Sequence, residues 1–195
     1  MSPDEKPATP RLVVFCGPRR AGKGTCAEYL MGHLRKRGLT PRKVDFADPL
    51  REISGIVFGV SQAEFLDPVL KERPLDSWPF LSPREILQTV GTDLFRYQWP
   101  DVWLRAWQRT ARQHLAQGPT AVVVTTDCRF VNEAEAVRSL DPKAMILRVT
   151  RDSLVGVDRH ASEMEWSAIP FDWEVPNNGT LPDLKRIAAE LAEAW

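Results

Sequence analysis

Cysteine is scarce in this chain. Cys16, Cys26 and Cys128 are the only three; they form no CxxC pair, and their number is odd. That pattern supplies neither a disulfide framework nor a zinc site and fits a reduced compartment, so the expected location is the cytoplasm. Charge of one sign is not in excess: 26 Lys and Arg stand against 26 Asp and Glu. A protein that held a nucleic acid polymer chiefly by neutralising its phosphates would be more basic, so no such partner is expected, although a local basic pocket remains open. No apolar run approaches the length of a membrane span and no secretory core stands at the N-terminus, so no membrane partner is expected either. At 195 residues the chain is too short for two full domains of ordinary size, and 43 % hydrophobic with 27 % charged residues is a globular composition.

The strongest positive signal lies near the start. Leu12 to Cys16 (LVVFC) is a short apolar run that reads as a buried parallel strand. Ala27, Leu30, Met31 and Leu34 follow at helical spacing, and Gly38 stops that helix. Between strand and helix stands Gly17-Pro-Arg-Arg20-Ala21-Gly22-Lys23-Gly24-Thr25, the spacing of a P-loop with Gly24 inserted between Lys23 and Thr25. Glycines let the backbone curl so that several N–H groups converge on one anion, and the following helix adds its N-terminal dipole. Lys23 can reach the outer phosphates, and Thr25 offers a hydroxyl to Mg²⁺. A strand before the loop and an amphipathic helix after it favour this reading over a mere glycine turn.

Further strands are expected over Lys43 to Phe46, Ala121 to Thr125 (AVVVT), Ala144 to Val149 and Phe171 to Val175. Helices are expected around Leu50, Ile53 and Val57, around Ile86, Val90 and Leu94, from Asp101 through Trp103, Trp107, Ala111 and Leu115, over Glu133 to Leu140, and over a C-terminal stripe of Leu181, Leu184, Ile187, Leu191 and Trp195. Met1 to Pro10 reads as a loose tail and Arg151 to Pro170, without apolar period, as a mobile segment. Strands alternating with helices imply an α/β fold with a parallel sheet covered on both faces, and ligands of such sheets bind along the carboxyl edge. Asp127 and Arg129 follow the third strand at that edge; Asp127 either holds Mg²⁺, directly or through water, or is a helix cap or an ion-pair partner of Arg129, and Arg129 could touch phosphate. Arg84, Gln88, Asp93 and Arg96 suit either an acceptor phosphate and base or an exposed salt-bridged helix, and Asp48 is a weaker candidate for the same pocket. Trp103 and Trp107 read first as core, with one of them open to stacking on a base. His160 is an ordinary loop histidine or a hydrogen bonder.

Beyond the loop, Phe46-Ala-Asp48-Pro-Leu50, Arg84-Glu-Ile-Leu-Gln88, Gly91-Thr-Asp93-Leu-Phe-Arg96, Pro100-Asp-Val-Trp103, Thr126-Asp127-Cys-Arg129-Phe130, Asp158-Arg159-His160 and Asn178-Gly179-Thr180 occur in one order along the chain. Together they resemble the deoxynucleoside monophosphate kinases of tailed bacteriophages, a branch of the P-loop nucleoside monophosphate kinases. The family often carries Asp where this chain has Gly24, and Pro where it has Val131. The resemblance implies a P-loop three-layer α/β/α fold on a five-stranded parallel sheet, as one domain over residues 11–195. An acceptor-binding insertion would span about 47–100 and a lid about 151–170. It implies ATP and Mg²⁺, a nucleoside monophosphate as partner, an option for a homodimer, and action in a host cytoplasm. Arg84, Gln88, Asp93, Arg96, Asp48, Trp103, Arg159 and His160 would then serve the acceptor. Gly17, Arg20 to Cys26, Asn178, Gly179 and Thr180 would serve ATP, with Thr25 and Asp127 on the metal. Lys23, Arg129, Asp127 and Arg151 would act in transfer. Competing readings are a P-loop kinase of a small hydroxyl substrate, with Asp48 or Asp127 as base, and an ATP-binding regulator without turnover.

Overall fold

The computed structural model describes residues 11–154 and 165–194. The proposed tail, Asp158, Arg159, His160 and Trp195 lie outside the described residues. The chain divides into two units: one runs through Asp45 and resumes at Thr110, and the other is Phe46–Arg109.

The first unit carries a five-stranded parallel sheet of β1 (Leu12–Cys16), β2 (Thr40–Lys43), β3 (Ala121–Cys128), β4 (Met145–Thr150) and β5 (Trp173–Pro176) in the order β2-β3-β1-β4-β5. Helices lie on both sides of it. β1 is central and wholly buried, as a run without polar residues must be to sit between neighbours on both edges. Helix α1 (Lys23–Lys36) buries Cys26, Ala27, Leu30, Met31 and Leu34. These share one core with Val13, Phe15, Val124, Leu147 and, from the C-terminal helix α7 (Leu181–Glu193), Leu184, Ala188 and Leu191. Of the expected stripe on that helix, Leu181 is exposed instead, since it stands at the first turn beyond the edge of the core. Helix α6 (Val131–Leu140) follows β3, two residues earlier than expected.

The second strand departs from expectation. It is Thr40–Lys43, not Lys43 to Phe46. Val44, Asp45 and Phe46 are buried but leave the ladder after Val44 N–H bonds to Val124 O. An edge strand bonds on one side only, so it tolerates the proline and the charges of TPRK. The apolar residues that looked like a strand pack as a loop beyond its end.

The second unit is helical. It holds α2 (Asp48–Phe58), α3 (Gln62–Leu66), α4 (Pro83–Gln88), a π-helical stretch Thr89–Arg96 that continues α4, and the first part of α5 (Val102–Leu115). Its core is Leu50, Val60, Phe65, Ile86, Val90 and Trp103. Ile53, Val57 and Leu94, which marked the expected helices, are exposed. On α2 the buried face is Leu50, Arg51 and Ser54 instead. At Leu94 the i→i+5 winding of the π stretch rotates the side chain off the 3.6-residue stripe.

Candidate active site

The loop between β1 and α1 begins at Gly17, whose φ is +127°. A Cβ there would lie 2.1 Å from the backbone oxygen of Val149. Both the left-handed torsion and the close passage of β4 demand glycine. Gly17→Ala is therefore expected to lower stability by at least about 2 kcal/mol, measured as a reduced urea midpoint, since strained torsion and backbone clash add. An unchanged midpoint would contradict this geometry.

Arg20, exposed at the loop tip, is also left-handed at φ 61°. Such strain on a non-glycine residue is typical of ligand clamps. Ala21 is buried and its N–H turns back to Pro18 O at 3.3 Å. Gly22 caps α1 in a left-handed conformation with no side-chain cap. The first-turn amides of α1 have no carbonyl four residues back, which makes this end of the helix an anion site when a loop curls over it. Lys23 Nζ donates to Gly17 O at 2.8 Å and Pro18 O at 2.7 Å, so the ammonium lies across the mouth of its own loop. Gly24 and Thr25 are exposed in the first turn.

Cys26 belongs to the core and not to the cradle. Its side chain is wholly buried and its N–H makes the helix bond to Gly22 O at 2.9 Å. Burial pushes the Cys26 thiol up to about 12. Burial likewise raises Cys16, against the lowering pull of the Arg148 guanidinium, and raises Cys128. All three thiols stay protonated at neutral pH, and none offers a nucleophilic thiolate.

Asp127 lies within β3, not after it, because that strand runs on to Cys128. The ladder pairs Val14 with Thr125 but Cys16 with Cys128, so β3 carries one extra residue beside the start of the loop. Such a bulge re-aims a side chain at a strand end and leaves a backbone N–H off the ladder. On the other side of β3, where β2 has ended, the buried Asp45 carboxylate accepts from Thr126 N–H at 2.7 Å and from Thr126 Oγ1 at 3.0 Å, with Lys43 Nζ 3.3 Å away. Asp45 was missed in the sequence; its only signal was a carboxylate between two apolar residues at a strand end. Arg129 follows on the same edge, half-buried, its N–H held by Glu133 at 2.9 Å. Glu133 is 2 % exposed and also accepts from Phe130 N–H, a buried capping residue of α6.

Arg151 is exposed at the end of β4. The backbone is fixed on both sides of it: Asn177 N–H bonds to Thr150 O at 2.8 Å, and Asp152 N–H bonds to Asn178 Oδ1 at 2.9 Å. Asn177, the first residue of the loop that the resemblance sets near the donor, reaches further and donates from Nδ2 to Ala21 O at 2.8 Å. The turn Asn177 to Thr180 thus touches the loop and the Arg151 segment at once. Thr180 itself caps α7, its Oγ1 2.6 Å and its N–H 2.8 Å from Asp183. These bonds hold the Asp183 carboxyl below its usual range.

In the second unit, Arg84 Nε is 2.9 Å from both oxygens of Glu72. Gln88 and Arg96 are half-buried and Asp93 is exposed. Asp93 and Arg96 stand on the π stretch, a winding that recurs at functional sites. Asp48 opens α2 and is bound by Arg51 at 2.5 Å. Trp103 is a core residue, 4 % exposed, with Nε1 donating to Gly91 O at 2.9 Å. Its ring packs against Phe95 and is not presented for stacking on a base.

The sequence model of a family described as deoxynucleotide monophosphate kinase matches residues 70–187. A protein of Acanthamoeba polyphaga mimivirus named putative deoxynucleotide monophosphate kinase is 31 % identical over 185 residues, covering 88 % of this chain and 91 % of that one. The chain belongs to the deoxynucleotide monophosphate kinase family. The deoxynucleoside-5'-monophosphate kinase of Escherichia phage T5 is 40 % identical over 73 residues, 36 % of this chain and 28 % of that one. In fold, the chain is similar to a mutant APS kinase of Mycobacterium tuberculosis, with a TM-score of 0.50 at 14 % identity over 96 % of this chain and 99 % of that one. Among the described residues no helix is long and apolar enough to cross a membrane.

Proposed function

We propose that this protein transfers the γ-phosphoryl group of ATP to a deoxynucleoside monophosphate, giving the diphosphate and ADP. The observation that carries the reading is the loop Gly17 to Thr25: positive-φ glycines at its start and at the cap of α1, a helix N-terminus with no side-chain cap, and Lys23 lying across its mouth. Family membership supports the acceptor class.

The amides of Gly22 to Thr25 and the Lys23 ammonium bind and orient the donor phosphates. Asn178, Gly179 and Thr180 are assigned to the adenine end of the donor. Thr25 and Asp127 would supply the hard oxygen donors that Mg²⁺ prefers, a hydroxyl in the first turn of α1 and a carboxylate at the bulge of β3. Mg²⁺ bound there would neutralise charge on the β- and γ-phosphates. Arg129 and Arg151 are assigned to set positive charge against the negative oxygens of the migrating phosphoryl group. The acceptor oxygen is already an ionised phosphate oxygen, so the chain needs no strong base and uses alignment and charge instead.

Arg84 and Arg96 are assigned to the acceptor phosphate, with Gln88, Asp93 and Asp48 toward its nucleoside. Arg84→Ala is expected to raise the acceptor KM by the equivalent of about 1.5–3 kcal/mol with the ATP KM unmoved, the usual loss for a charged hydrogen bond. Glu72→Gln separates binding from scaffolding. If Arg84 only pins Glu72, both variants lose stability alike and keep wild-type acceptor kinetics. The function itself is tested by ADP release across deoxyribonucleotide, ribonucleotide and hydroxyl-bearing acceptors. Turnover with monophosphates is expected; turnover confined to hydroxyl acceptors would reject the reading.

A further inference from the structure

Ala21 and Gly22 share one peptide plane, whose carbonyl and N–H point in opposite directions. The carbonyl end is engaged by Asn177 Nδ2 at 2.8 Å. A carbonyl oxygen can only accept, so it is the amide nitrogen of Asn177 that faces it. The N–H end of the plane, which belongs to Gly22, is therefore turned away from Asn177. The contact is close: a Cβ on Gly22 would lie 2.3 Å from that same nitrogen. Asn177 is itself firmly mounted, since its backbone N–H bonds to Thr150 O at 2.8 Å at the end of β4.

Gly22, at φ 100°, lies in a region where glycine accepts either orientation of a neighbouring peptide plane at little cost. The loop's own torsions therefore do not choose which end of the Ala21–Gly22 plane faces the cradle; an outside contact must. We propose that Asn177 is the positioning residue that makes this choice, holding the Ala21 carbonyl outward so that the Gly22 N–H is presented to the donor phosphates. Without it the plane is free to turn, and a carbonyl dipole would then meet the phosphates. This rests on the assignment of the loop to the donor phosphates.

The test is the Kd of the Mg²⁺ complex of the non-hydrolysable ATP analogue AMPPNP, by calorimetry, for Asn177→Ala, Asn177→Asp and Lys23→Ala. Asn177→Ala removes one hydrogen bond and should weaken binding about fivefold to tenfold. Asn177→Asp keeps the shape but sets a carboxylate oxygen against the Ala21 carbonyl, so it should weaken binding more than the alanine does. Lowering the pH toward 5 should recover the Asp variant relative to wild type, because a protonated carboxyl donates to Ala21 O as the amide did. The acceptor KM should stay within about twofold in both, since the loss is confined to one donor contact. Equal weakening in Ala and Asp without recovery at low pH, or a parallel rise in the acceptor KM, would mean general loosening and overturn the proposal. Should the Asp variant fail to fold, the alanine variant decides by its split between AMPPNP affinity and acceptor KM. Wild-type affinity in the Asn177 variants with weakened binding in Lys23→Ala overturns the role of Asn177 alone. Wild-type affinity in Lys23→Ala as well overturns the donor-site assignment with it.

Discussion

Lys23→Ala is expected to reduce kcat/KM for phosphoryl transfer by about 10³-fold or more while leaving the protein folded. Loss of a single preorganised donor at a developing charge removes about 10²–10³ in rate, and Lys23 brings a full charge in addition. Its two bonds to Gly17 O and Pro18 O keep the ammonium at the loop mouth without requiring it for packing, because the side chain is only half-buried and outside the core. Losing those two partly solvated bonds should lower the unfolding free energy by about 1–2 kcal/mol, which leaves the protein folded. Steady-state kinetics together with urea unfolding read both quantities. A folded variant with near-normal turnover would remove the loop from the chemistry.

Arg151→Ala is expected to lower kcat about 100-fold or more with small effects on either KM, the pattern of an interaction made in the transition state. The guanidinium is exposed at the carboxyl end of β4, and the backbone bonds at Thr150 and Asp152 fix the point from which it projects. A charge that reaches the migrating group only as that group leaves the donor contributes to kcat and not to ground-state binding. A raised ATP KM with kcat preserved would instead make Arg151 a ground-state ATP contact. Wild-type kinetics in both parameters would remove it from the site.

The loop was legible in the sequence because its chemistry is local: nine consecutive residues determine the curl, the charge and the helix start. Leu12 to Cys16 and Ala121 to Thr125 were legible for a related reason, since strands buried on both faces have to be apolar throughout. The edge strand Thr40–Lys43 was not, because an edge permits proline and charge and so loses the pattern that identifies a strand. The contacts made by Asp45 and Asn177 were out of reach for a different reason. Each residue acts on a backbone group 81 and 156 residues away, respectively, and nothing in the sequence around either residue encodes those contacts. Leu94 shows the limit of periodicity, as it fits an α-helical stripe but stands on a π stretch. Trp103 shows the limit of residue type, since an indole suited to stacking on a base is equally suited to a core with one carbonyl in reach.

The most direct test of the central claim is the fate of the γ-phosphorus. With γ-labelled ATP, Mg²⁺ and each deoxynucleoside monophosphate in turn, the products can be separated and the label located by ³¹P magnetic resonance. Transfer as described puts the label in the β position of a deoxynucleoside diphosphate, with unlabelled ADP in equal amount, and about 10³-fold less there in the same time with Lys23→Ala. Label recovered as inorganic phosphate, or on a hydroxyl acceptor while every monophosphate is returned unchanged, would contradict it.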